Sequence, residues 1–289
     1  MNDIPLPADP KAKTNPVQAL QNAQPAKPAA TPQLVTRKPS GLPSWPVLLM
    51  AGREKTGKSY HAALASASAL IGRTFWIGFG EKDPDEYGAI PGADFEIVEY
   101  DGTLASLQQL TRAVVNQPQE DGRPNLIIID SGTLIWETLR DKATWLAQQR
   151  HQAQNRTGEA AVGMDLWNKV TAEWNQLLRT LRSHNGPVII TARMDTVTVM
   201  DNKGKPTTAK TEKVKGHRNL AYDVDAIIEM PVRGKATLTG ARSVVHKLPE
   251  RMDIDDFDTK GIDWLWRSLG LDKHVAARAQ YTEAAPVDG

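Results

Sequence analysis

The chain has no cysteine. Disulfides, thiolate zinc sites and cysteine nucleophiles are excluded at once, and the absence fits a reducing compartment. Long apolar runs are missing as well. None approaches the ~18 residues that a membrane helix needs. The opening Met1-Asn2-Asp3-Ile4-Pro5 lacks the basic start and apolar core of a signal peptide. The expectation is a cytoplasmic protein with no membrane partner. Charge of either sign is not in excess, the net being +1 over 289 residues. The whole molecule is no polycation, so any nucleic-acid contact has to come from a local patch.

Aromatic residues are scarce at 6%, and none occurs before Trp45. Residues 1–43 instead hold nine of the 19 prolines, with many Ala and Gln. Such a segment cannot bury enough apolar surface to offset its ordering entropy. It reads as a disordered arm, followed by one folded domain over 44–272 and a frayed tail over 273–289. Hydrophobic residues make up 40% of the chain, enough for a sizeable core.

What is present begins at Gly52. Gly52-Arg53-Glu54-Lys55-Thr56-Gly57-Lys58-Ser59 is a complete G-x-x-x-x-G-K-[ST] loop. An apolar run, Pro46–Ala51, leads into it, and an Ala-rich helical stretch, Tyr60–Ile71, leads out. Strand, loop and helix are the context this motif requires. Gly52 and Gly57 let backbone N–H groups turn inward around a phosphate, and the helix N-terminus adds its positive end. Lys58 is placed to reach the β- and γ-phosphates, and Ser59 to ligate Mg²⁺. Lys55, Thr56 and Tyr60 complete the expected nucleotide contacts. The ligand implied is ATP with Mg²⁺.

Further on, Thr74–Phe79 reads as a buried strand ending at Gly80-Glu81. A short strand near 95–100 and a helix over 103–116 follow. Leu126-Ile127-Ile128-Ile129 then ends in Asp130-Ser131, a Walker B pattern whose acid would hold the Mg²⁺ shell. Helices are expected at 133–153 and 165–184. In the second, Leu166, Val170, Trp174, Leu177, Leu178 and Leu181 recur at helical spacing and form a core stripe. Pro187–Arg193 is another buried strand. A polar segment over 201–219 precedes strands at 224–230, 236–238 and 243–247, and a short helix carries Trp264 and Trp266. Buried strands alternating with helices argue an α/β fold: a mostly parallel sheet with helices on both faces, and antiparallel edge strands toward the C-terminus.

In such a sheet the ligand sits at the C-terminal ends of the strands. Glu81 is the candidate base for the attacking water, with Glu137 as its rival. Thr191 and Arg193 are candidate γ-phosphate sensors, and Arg193 could equally serve in a surface or inter-subunit salt bridge. Between 203 and 218, Lys203, Lys205, Lys210, Lys213, Lys215 and Arg218 face one acid, Glu212. This segment could neutralise a phosphate backbone, donate a cationic finger to a neighbouring subunit's ATP, or be a solvated hairpin. The six histidines show no spacing that would make a zinc site and are read as structural.

Taken in order, these elements resemble the RecA-like recombinase core over residues 45–250. They are most similar to the phage-encoded RecA-like P-loop ATPases of single-strand annealing and recombination. The resemblance implies that Lys58 and Ser59 are the loop lysine and metal ligand, Glu81 the catalytic glutamate and Asp130 the Walker B acid. It implies that 201–219 and 155–163 fall where the family keeps its two DNA-binding loops. Lys213, Lys215 or Arg218 falls near its inter-subunit finger. It further implies single-stranded DNA as partner, a homo-oligomer in ring or filament form, and a single-strand-binding protein as a possible associate. One departure stands out: Arg193 occupies the place near which the family's sensor strand carries an amide. The other reading is a nucleotide-gated loader for a helicase or recombinase, touching DNA weakly.

Overall fold

The computed structural model describes residue 34, residues 36–273 and residues 276–277. The arm expected over 1–43 and the tail over 273–289 fall for their greater part outside the described residues. The folded unit is built on one nine-stranded sheet. Its strands are β1 (Val47–Gly52), β2 (Thr74–Gly78), β3 (Glu96–Ile97), β4 (Leu126–Asp130), β5 (Val188–Met200), β6 (Pro206–Lys215), β7 (Ala226–Val232), β8 (Lys235–Ala241) and β9 (Met252–Ile254). The order across the sheet is β3-β2-β4-β5-β1-β7-β8-β9, with β6 paired to β5 off this path. Pairs from β3 through β7 are parallel, while β7–β8, β8–β9 and β5–β6 are antiparallel.

The helices are α1 (Lys58–Ala65), α2 (Leu104–Val115), α3 (Gly132–Ala153), α4 (Met164–Arg182), α5 (Leu220–Asp223), α6 (Phe257–Lys260) and α7 (Asp263–Ser268). Parallel strands buried on both faces read as continuous apolar runs, and those here do. Alternate residues sort onto opposite faces. Leu49, Ile77, Ile127, Ile129 and Ile190 pack with Leu107 of α2, Leu139 of α3 and Trp174 of α4. Leu48, Met50, Trp76, Ile128 and Ile189 pack with Ala62 of α1, Phe257 of α6 and Trp266 of α7. The α4 stripe expected from its spacing is buried at every position named. Local signals hold the helix starts: Thr103 caps α2 and Ser131 caps α3 through their side-chain oxygens. This is the α/β core predicted from the sequence, a mostly parallel sheet covered on both faces with antiparallel edge strands.

Three expectations are corrected. The first helix begins at Lys58 and ends at Ala65, short of Ile71. Residues 243–247 form no strand; β8 stops at Ala241 and the last strand is β9. The strand expected to end at Arg193 runs on to Met200 as β5, and the polar segment over 201–219 returns beside it as β6, the hairpin among its expected readings. Among the described residues, no helix is long and apolar enough to cross a membrane.

Candidate nucleotide site

The parallel registers end together. Gly78 pairs with Asp130, and Gly52 with Arg193, so β2, β4 and β1 end along one edge, past which β5 runs on from Arg193. The loop between β1 and α1 is shaped by two glycines. A Cβ at Gly52 would lie 2.5 Å from the Met230 carbonyl oxygen and 2.7 Å from Thr56 Oγ1. Gly57 sits at φ 99°, in the region glycine alone enters without strain. The Lys58 ammonium curls back onto the loop, donating to the carbonyls of Gly52 at 3.1 Å and Arg53 at 2.6 Å. Thr56 is buried and donates to the Arg53 carbonyl, bracing the turn. Lys55 and Tyr60 are exposed at its rim.

Asp130 is the hub. Ser59 Oγ donates to its Oδ2 at 2.9 Å, and Thr191 Oγ1 donates to its Oδ1. Burial pushes the Asp130 carboxyl up from its ordinary range, against the two hydroxyl bonds that pull it down. Burial also lowers the Lys58 ammonium, with Asp130 and Glu81 opposing that shift. Both groups thus carry their charge at a cost that a bound polyphosphate and a divalent cation would relieve. With a glycine cradle, a lysine inside it and a Ser–Asp pair, the residues present fit ATP and Mg²⁺.

Glu81 joins the same neighbourhood. Its Oε1 accepts from Ser131 Oγ at 3.0 Å and from the Arg193 guanidinium at 2.7 and 3.2 Å. The loop after β2, the helix cap after β4 and the turning point of β5 thus meet on one carboxylate oxygen. Arg193 is seated from behind: its N–H donates to Thr133 Oγ1, which donates to the Lys215 carbonyl. The rival base Glu137 is otherwise engaged, pairing with Lys215 Nζ at 2.7 Å. That pair also ties Lys215, one of the three finger candidates, to its own chain. Lys203, Lys205, Lys210, Lys213 and Arg218 are exposed.

The Asn155–Gly163 stretch is not brought to this edge by any contact among the described residues. It joins α3 to α4, about 32 Å of helix away from Gly132. Gln148 holds it, donating to the Gly158 carbonyl and accepting from the Ala160 N–H. Sequence reasoning missed Thr133 and the link between Arg53 and Glu212, in which the loop's variable position pairs with β6. No signal in the chain joins residues 159 positions apart. Of the histidines, His61 pairs with Asp258, and His184 faces the Asn125 carbonyl. No group of residues suited to holding a metal through His or clustered acids occurs among the described residues.

A glycine-cradled lysine, a Ser–Asp pair and a carboxylate at the C-terminal edge of a parallel sheet define a P-loop ATPase domain. The family model described as an AAA domain matches residues 46–253, and the chain belongs to that family. No curated protein matches the chain. Among solved structures, an ATPase from the type III secretion system of pathogenic bacteria is similar at 16% identity over 65% of this chain and 54% of that one, with a TM-score of 0.40. The chain spans about half the length of that ATPase. The flagellar accessory protein FlaH from Methanocaldococcus jannaschii is similar at 14% identity over 74% of this chain and 86% of that one, with a TM-score of 0.38.

Proposed function

We propose that the protein binds and hydrolyses ATP and uses that cycle on single-stranded DNA, in recombination or annealing of the phage type. The observation that carries the reading is the meeting of Lys58, Ser59, Asp130, Glu81 and Arg193 at one sheet edge, from which a basic β-hairpin rises. Lys58 exchanges its two loop carbonyls for phosphate oxygens. Ser59 and Asp130 are the residues that would hold Mg²⁺, which supplies charge neutralisation on the phosphates. Glu81 accepts the proton of the attacking water once Arg193 turns from it toward the γ-phosphate. Thr191 keeps Asp130 oriented. Lys203, Lys205, Lys210 and Lys213 offer phosphate contacts along the hairpin, which supports DNA as the partner. The same lysines and Arg218 are the groups a ring or filament could present to a neighbouring subunit. A single-strand-binding protein is a compatible associate, and a cytoplasmic site of action suits the cysteine-free chain.

The test is ATP hydrolysis with and without single-stranded DNA, at two salt concentrations, beside Lys58→Ala. Stimulation by DNA that falls with salt and vanishes in the variant supports the reading. Hydrolysis indifferent to DNA replaces it with the nucleotide-gated loader. ATP bound without turnover removes Glu81 from its role.

A further inference from the structure

The β5–β6 ribbon has two edges, and they are built differently. The β6 strand carries Pro206, Lys210, Lys213 and Lys215, the residues that natural proteins place on an exposed strand to prevent pairing. The upper part of β5 is Met194-Asp195-Thr196-Val197-Thr198-Val199-Met200, with one charge and no proline. It pairs with β6 on one side only. The pairing of β5 with β1 ends at Arg193, and that with β4 ends at Ile190. Among the described residues no backbone group bonds to the other edge of 194–200. Five of these seven residues are exposed, Met200 at 60%. The register with β6 shifts only near the tip, between Thr198 and Met200, where the extra residues lie on β6.

We propose that this edge is a pairing surface for a second copy of the chain, the two β5 strands adding edge to edge in antiparallel sense to make a four-stranded ribbon. The occupant follows from the residues. A two-fold pairing that uses the whole free run centres on Val197. It sets Thr196 opposite Thr198, Asp195 opposite Val199 and Met194 opposite Met200. Thr–Thr and apolar cross-strand pairs are favourable, and no like charges face each other. Centring on Asp195 would oppose the two carboxylates. The two cations beside this edge, Arg53 and Arg193, are paired with Glu212 and Glu81, and the lysines lie on β6, so a polyanion would have to break an ion pair to bind here. The contact is isologous, as a closed dimer requires. Its area is that of one strand pair, so the dimer forms and dissociates with concentration.

The cysteine-free chain allows a direct test. Val197→Cys places a thiol on the two-fold axis opposite its own copy. On mild oxidation it is expected to give a disulfide-linked dimer of unchanged ATP binding. Lys213→Cys, on the guarded strand, is expected to stay monomeric. Adding Thr198→Lys to Val197→Cys is expected to lower the cross-linked fraction at least tenfold, and Thr198→Lys alone to shift the light-scattering mass to monomer. Far-ultraviolet circular dichroism confirms the fold of each variant. A monomer at every concentration with no cross-link overturns the proposal. So does equal cross-linking through Lys213→Cys, or a cross-link indifferent to Thr198→Lys. Cross-linking that appears only with single-stranded DNA or an added protein assigns the edge to that partner and overturns it too.

Discussion

One strand lives under two regimes. Val188–Ala192, the lower half of β5, is buried throughout between β4 and β1. Met194–Met200, the upper half, leaves the sheet and keeps only β6. The lower half is apolar at four of five positions because both faces are covered. The upper half is largely exposed on both faces: Met194, with Val214 of β6, reaches the core, while Asp195 and Thr196 both face water. Thr191 and Arg193 sit at the change. A packed half delivers two polar groups to the nucleotide edge, and an unpacked half stands in solvent beside β6. Function is placed where burial ends.

The comparison breaks most visibly at that junction. Glu81→Gln keeps the shape of the carboxylate that Arg193 and Ser131 hold but removes its basicity. ATP turnover is expected to fall about 10²- to 10⁴-fold, the usual worth of a general base, with ATP affinity little changed. Single-turnover kinetics beside equilibrium nucleotide binding would show it. A matched loss of binding would make Glu81 part of the cradle instead.

In the lower half, Ile190 is 1% exposed and touches the place where Gly132 admits no side chain. Ile190→Ala removes buried methyl groups without room for the core to collapse. A loss of about 2–5 kcal/mol is expected in urea unfolding. A cost under 1 kcal/mol would mean that the strand's packing is looser than the burial implies.

The balance of what was readable follows the same line. The loop at Gly52, the Walker B end at Asp130 and the α4 stripe were legible because each is a short-range pattern with a fixed period or spacing. Glu81 was legible as the polar end of a buried strand. What the chain did not disclose is pairwise and long-range. Arg193 on Glu81 spans 112 positions and Arg53 on Glu212 spans 159. Such contacts are decided by the register of the sheet, which no local segment carries. The hairpin was among the readings of this segment, but its extent was not legible: its residues are mostly exposed, so no apolar period marks where β5 stops.

The two ends of the sheet also titrate apart. At the end away from the nucleotide edge, burial holds His184 below its ordinary range, against the pull of its bonds to backbone carbonyls; next to the loop, burial also lowers His61, against the pull of Asp258. A histidine lowered in the folded state contributes stability that is present above its unfolded value near 6.5. That contribution is lost as pH falls through the folded value. Urea midpoints are therefore expected to drop between pH 7.5 and 5.5, and His184→Asn to flatten part of that slope. A slope unchanged in the variant would place the titration elsewhere.

The smallest expected effect is the one that isolates the upper half. Val197 is only partly covered, and its segment touches no strand but β6. Val197→Ala at low protein concentration is expected to change stability by no more than about 0.5 kcal/mol, as a surface substitution does. Set against Ile190→Ala, seven positions earlier in the same strand, it measures how sharply burial ends at Arg193. If Val197→Ala cost as much as Ile190→Ala, the ribbon would be part of the cooperative core. Its lysines could then move toward a partner only by disturbing the nucleotide edge. A near-zero cost leaves the ribbon free to take different positions while the lower half holds Thr191 and Arg193 in place.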